Sequence, residues 1–391
     1  MRVILLCVHG LTPASLGCYG NEQRPTPNFD RLAAQSVVFD QHFADVPSVV
    51  GARHALLTGR HAIPRMLSPI ASTTSPYEFH ALLRAGGIPS FVVSDNPGGF
   101  VDGWDGDFED VESALDAVGD TNSGVLFLEE SMLPPWEIAD ETAARIFEND
   151  DDEPIEVEPW RNPTNGYLWA ADDADFHRLK LSFAAAVADW DQRFGMLHEV
   201  LTDRPWFQDA MFIAYSGRGQ ALGEHGICGD YRPWLYEELT HVPLVIRLPH
   251  AAQANRRVFQ LTQTVDIPAT VAAALGLTAP LDWHGQSLLP IAGGGTLRRD
   301  YVCFGLQIDA ATESAIQTTE MKLVLPLQTP MSDPPREPML FMKPDDRWEV
   351  NNVRQAFLPQ AESLECTLRA YVEASSQPGP MTPPTLIEPV E

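Results

Sequence analysis

Five short apolar runs constrain this chain more than any other feature: Val3–Val8, Phe91–Val93, Val125–Leu128, Met211–Tyr215 and Leu244–Leu248. Runs of this length suit strands buried on both faces of a parallel sheet. Helical patterns separate them. Thr26 is placed to cap a helix with Pro27 at its first position, and Phe29, Leu32 and Ala33 form its inner stripe. Apolar residues recur at helical spacing from Leu179 to Leu201. Asp266 reads as a cap, and Gly276 as the end, of a helix over Ile267–Leu275. Alternation of strand and helix predicts an α/β sandwich with helices on both faces of a mostly parallel sheet.

The chain has 391 residues, enough for one large domain and a smaller one. We place the large α/β domain at residues 1–295, with 129–177 as a long surface excursion rich in Pro, Trp and acid. Past Gly293-Gly294-Gly295 the pattern changes to short strands, Tyr301–Leu306, Ala315–Thr318 and Lys322–Leu327, and a helix near Ala361–Ala374. These predict a small α+β domain over 296–375. The tail 376–391, with Pro-Pro and no apolar stripe, reads as disordered.

The net charge of −28 would repel nucleic acid and anionic membranes, so neither is expected as a partner. Acidic runs Asp105–Glu112 and Asp150–Glu153 read as solvated loops. Five cysteines without regular spacing suggest reduced thiols rather than a disulfide framework or a zinc site. No apolar run reaches membrane-spanning length. Met1-Arg2 runs straight into the first strand with no leader pattern, so the expected compartment is the cytoplasm.

Motifs distributed along the chain carry a resemblance. In order they are Leu16-Gly17-Cys18-Tyr19-Gly20, Thr26-Pro27-Asn28-Phe29-Asp30-Arg31-Leu32, Leu56-Leu57-Thr58-Gly59-Arg60, Leu222-Gly223-Glu224-His225-Gly226, the run Tyr236–Arg247, Thr264–Thr270 and Gly285–Pro290. Met321–Val324 and Trp348–Val353 complete the series. Their order and spacing resemble the sulfatase family of the alkaline phosphatase-like superfamily. The resemblance implies a three-layer sandwich, a divalent cation (usually calcium) and hydrolysis of sulfuric esters.

The resemblance also locates what the family's chemistry would need. Its calcium ligands, adjacent aspartates after the first strand and an Asp-His or Asp-Asn pair after a later one, correspond to His9-Gly10 and Gly217-Arg218. Calcium takes six to eight oxygens, and Arg cannot ligate a metal. The family's nucleophile heads a C/S-x-P-x-R motif, which here reads Val49-Val50-Gly51-Ala52-Arg53. Valine has no atom able to attack sulfur. The family's leaving-group Lys and His correspond to the stretch Ser94-Asp95-Asn96-Pro97, which contains neither. The implied cofactor set is therefore none, calcium being expected of the family and its ligands being absent.

Three readings follow. In the first, His9, Arg53 and Arg218 form a metal-free pocket for a sulfate- or phosphate-like anion or a sulfated sugar, without turnover; the helix after Val49 adds its positive end. The same residues could instead be structural, with Arg218 bridging to Asp95 or Glu224. In the second, a hydroxyl of Ser48 or Thr12 beside His54 or His9 serves as a relocated nucleophile. In the third, the excursion 129–177, with Trp136, Trp160 and Trp169, is the contact surface of a subunit that partners an active relative.

Overall fold

The computed structural model describes residues 1–63, 78–95, 103–148, 158–168, 173–329 and 336–387. An eight-stranded sheet forms its centre, in the order Arg256–Val258, Val37–Phe39, Leu244–Arg247, Met211–Tyr215, Arg2–His9, Gly124–Ser131, Ser90–Ser94, Gly106–Asp107. Strand Arg2–His9 is parallel to both neighbours, and Leu244–Arg247 is antiparallel to both of its own.

Side chains of the first strand alternate between two cores, as a strand covered on both faces requires. Ile4, Leu6 and Val8 pack with helices Pro27–Ala34, Val111–Gly119, Asp140–Glu148 and Asp173–Thr202. Val3, Leu5 and Cys7 pack with helices Val49–Thr58, Glu78–Ala85 and Asp266–Ala274. A third core joins segments outside the central sheet, those of Phe43, Ile227, Leu235 and Leu239 among them, to a four-stranded antiparallel sheet, Val302–Ile308, Ala311–Gln317, Met321–Gln328 and Met339–Met342, backed by helix Leu358–Ser376. The sandwich and small C-terminal sheet domain are as the sequence implies; strand Met339–Met342 is additional. Among the described residues no helix is long and apolar enough to cross a membrane.

Several local expectations are corrected. Thr26 does not cap helix Pro27–Ala34. Its hydroxyl accepts from the Gly17 amide and donates to Asp30. The cap comes from Asp191, whose carboxylate accepts from the Asn28 and Phe29 amides at 3.1 and 2.9 Å. Asp266 opens its helix, but its carboxylate turns to the Gln263 and Gln286 amides and is clamped by Arg299. The excursion is more ordered than its composition suggests: it holds helix Asp140–Glu148 and a short strand, Gly166–Tyr167, paired with Ile227–Cys228. Trp136 is buried, with its indole N–H on the Met132 carbonyl, and Trp160 lies under Arg178. These two rings therefore pack on their own domain; Trp169, like Asp150–Glu153 and Asn96-Pro97, lies outside the described residues.

The described part of the tail, through Ile387, is also placed. Tyr301 donates to the Pro384 carbonyl, the Ile387 amide donates to Thr367, and Arg60 reaches the Gly379 carbonyl. Prolines without an apolar stripe can still form an extended strap when side chains of the body supply its hydrogen bonds. All five cysteines are free thiols.

Candidate active site

The chemistry-bearing positions lie at the carboxyl ends of the central strands, where open α/β sheets bind ligands. His9 ends the first strand, and Gly10 takes a φ of +89° that swings the chain across the sheet rim. The Gly10 amide donates to the Arg218 carbonyl at 2.9 Å, and Gln220 Nε2 donates to the carbonyls of Gly10 and Met132. These bonds hold the loops after strands Arg2–His9, Gly124–Ser131 and Met211–Tyr215 together. Gly217 admits a close approach: a Cβ there would lie 2.4 Å from the Ala52 Cβ and 2.7 Å from His9 Cε1.

One carboxylate organises the rim. Glu129, one residue beyond the apolar run Val125–Leu128, is buried. Oε1 accepts from Arg53 Nε at 2.9 Å and lies 3.0 Å from His9 Nε2; Oε2 accepts from Arg53 Nη2 and from Ser94 Oγ, each at 2.6 Å. Burial pushes its pKa up, but the bonds from His9 and Arg53 outweigh burial and bring it down to about 2. His9 Nδ1 is buried with no hydrogen-bond partner among the described residues. Cys7 Sγ lies 3.8 Å from His9 Nε2, and burial pushes its thiol pKa far up, so it is a neutral thiol.

Arg218 takes a different partner from those expected. Its two terminal nitrogens bind Asp230 at 2.6 and 2.5 Å, not Asp95 or Glu224. Glu224 accepts from the Leu222 amide within its own turn, while His225 joins Glu238 to the Trp348 carbonyl. His9 and Arg53 thus meet on Glu129, and Arg218 stands apart, lining a cleft of about 440 Å³ with Asn162, Asn165, Gln220 and Asp230.

The Ser48 hydroxyl has a structural role, and Thr12 is tied into its turn through its carbonyl. Ser48 caps helix Val49–Thr58, its oxygen accepting from the Gly51 amide at 2.9 Å. Thr12 is buried, and its carbonyl receives both the amide and the hydroxyl of Ser15. His54 lies one turn along the helix, 3.4 Å from Thr58 Oγ1. His9 turns to Glu129 rather than to Thr12. Sequence reasoning misses Glu129 and, at Asp230, foresees only a loose correspondence with a family lysine rather than the pairing with Arg218. A carboxylate closing an apolar strand run was the available signal for Glu129; no local pattern marks Asp230 as the partner of Arg218.

Comparison with known proteins agrees with this architecture. A sulfatase family model matches residues 135–277, and a model of the N-sulphoglucosamine sulphohydrolase C-terminal region matches 223–369. Human arylsulfatase D is 43% identical over 61 residues, which are 16% of this chain and 10% of that protein. Matched segments span between 10% and 20% of the curated relatives' lengths. A protein solved with its substrate D-glucosamine-2-N,6-O-disulfate superposes with a TM-score of 0.76 at 16% identity, over 97% of this chain and 98% of its own. The phosphonate monoester hydrolase of Agrobacterium radiobacter gives 0.70 at 19%, over 95% and 96%. Two sulfatase-type models thus match overlapping parts of the chain between residues 135 and 369, and the chain shares the fold of these solved structures along nearly its whole length.

Proposed function

We propose that this sulfatase-family chain binds a polar ligand in the cleft beside Arg218 and does not hydrolyse sulfuric esters by the family's metal-assisted route. The Glu129 clamp carries the reading. A calcium ion needs several convergent carboxylate oxygens. Both oxygens of Glu129 are already engaged by Arg53, His9 and Ser94. Gly10 and Gly217 bring no side chain to the rim, and Arg218 brings a cation. Among the described residues, no three His, Cys, Asp or Glu side chains are grouped to hold a metal ion. The residues present therefore do not fit the cation that the resemblance implies.

The nucleophile position supports the same reading. Val49 opens the helix whose N-terminus faces the rim, and Ser48 before it is engaged as the cap. The substitutions are mutually consistent. Metal-ligand carboxylates left without their ion would repel one another in one cleft; replacing them removes that cost. Arg53, which then lacks neighbouring carboxylates of that set, is balanced by Glu129 instead.

Calorimetric titration of the purified chain with calcium tests the reading. No saturable binding at millimolar calcium is expected. Stoichiometric binding with calcium-dependent stabilisation would overturn it.

A further inference from the structure

Resting on that reading, we propose that the cleft beside Arg218 recognises the hydroxyl groups of an unsulfated sugar rather than a sulfate. The cleft, about 440 Å³, is within the size range of small-molecule sites. Its one arginine is already neutralised: Arg218, almost fully buried, is held by both oxygens of Asp230, whose side chain remains 44% exposed. A sulfate entering here would have to compete with Asp230 for the guanidinium and sit against its negative charge. The chain's net charge of −28 adds long-range repulsion.

A hydroxyl meets the opposite situation. It both donates and accepts, so it needs donors and acceptors side by side. A carboxylate has about four lone-pair positions, and Arg218 engages two of those on Asp230. The exposed side chains of Asn162, Thr164 and Asn165 supply both kinds of group along the same wall. Gly229 allows this wall to close on Asp230: a Cβ there would lie 1.9 Å from Asn165 Oδ1. Tyr231, next in the chain, leaves 44% of its surface in water and packs edge-on against Tyr167. Leu133 and Pro134 in the cleft lining offer apolar surface for a sugar's C–H groups.

A microarray of neutral glycans printed beside their sulfated counterparts tests this. Retention of neutral members is expected, with at least tenfold weaker binding to the sulfated form of any glycan retained. Asn165→Ala should reduce retention at least fivefold while the melting temperature stays at the wild-type value, and Asp230→Asn should reduce it at least as much while also lowering the melting temperature, because the buried Arg218 loses its carboxylate. Preference for sulfated members, or no retention of neutral ones, would overturn the assignment. Release of sulfate from array members or from an aryl sulfate would instead overturn the non-hydrolytic reading, and leaves the neutral-over-sulfated ranking to be judged separately.

Discussion

Two buried charge clusters in this molecule follow opposite plans. At the sheet rim a single carboxylate, Glu129, is surrounded by Arg53, His9 and Ser94. At the seam between the large and small domains charges alternate along a chain. Lys322 and Lys343 lie 2.9 and 2.8 Å from Glu349, Lys343 continues to Glu237, and Glu237 to His241 at 3.0 Å. His241 ends the chain on the Asp40 carbonyl at 2.9 Å. Burial pulls the Lys322 pKa down against the pull of Glu349, whereas Glu349 and Glu237 overcome burial and raise that of Lys343. The seam distributes its charge, so that Lys343, for one, keeps Glu237 or Glu349 when the other is lost. The rim concentrates its balance in one residue. At the rim both oxygens of Glu129 are taken up by Arg53, His9 and Ser94, whereas the seam ties the Lys322 strand to the segment 237–241.

The sharpest break in the comparison is Glu129→Ala. It leaves Arg53 and His9 buried without their carboxylate, and we expect a loss of about 3–5 kcal/mol in urea unfolding. Formate, a small free carboxylate, should raise the melting temperature of that variant and leave the wild type unchanged. Lys322→Met comes next, nearer the lower end of about 3–5 kcal/mol, because Lys343 still reaches Glu349. Adding Glu349→Leu should deepen the loss, since it takes one carboxylate from Lys343 and the acceptor from the Glu237 amide.

Acidity separates the clusters less forcefully. The Glu129 pKa falls from 4.5 to about 2 on folding, so its contribution is complete above about 4.5 and is lost as pH falls through about 2. The stability gap between wild type and Glu129→Gln should therefore shrink across that window in acid-unfolding curves. The smallest effect is expected for Ser48→Ala: about 1 kcal/mol from the lost cap, read by thermal unfolding.

Much of the scaffold was legible because its signals are local. Met211–Tyr215 forms a strand over the residues its apolar run marks, and the stripe from Leu179 to Leu201 lies within helix Asp173–Thr202. Helix Asp140–Glu148 could have been found: Ala143, Ile146 and Phe147 carry a helical stripe. The site was legible only as departures from a resembled motif. What those positions do instead depends on partners far away in sequence. Glu129 meets Arg53 across 76 residues, and Asp191 caps a helix that begins more than 160 residues earlier. Arg218 and Asp230 are only 12 apart, yet their pairing depends on the turn and short strand that fold between them. Periodicity reports which face of an element is buried; it carries no information on which charges converge at an element's end.

The most direct test of the account is turnover of an aryl sulfate by the purified chain in millimolar calcium, before and after chelation. The account predicts no release of the phenol in either condition, because Val49 supplies no nucleophile and Glu129 is engaged in ion pairing. Phenol release that chelation abolishes would contradict it.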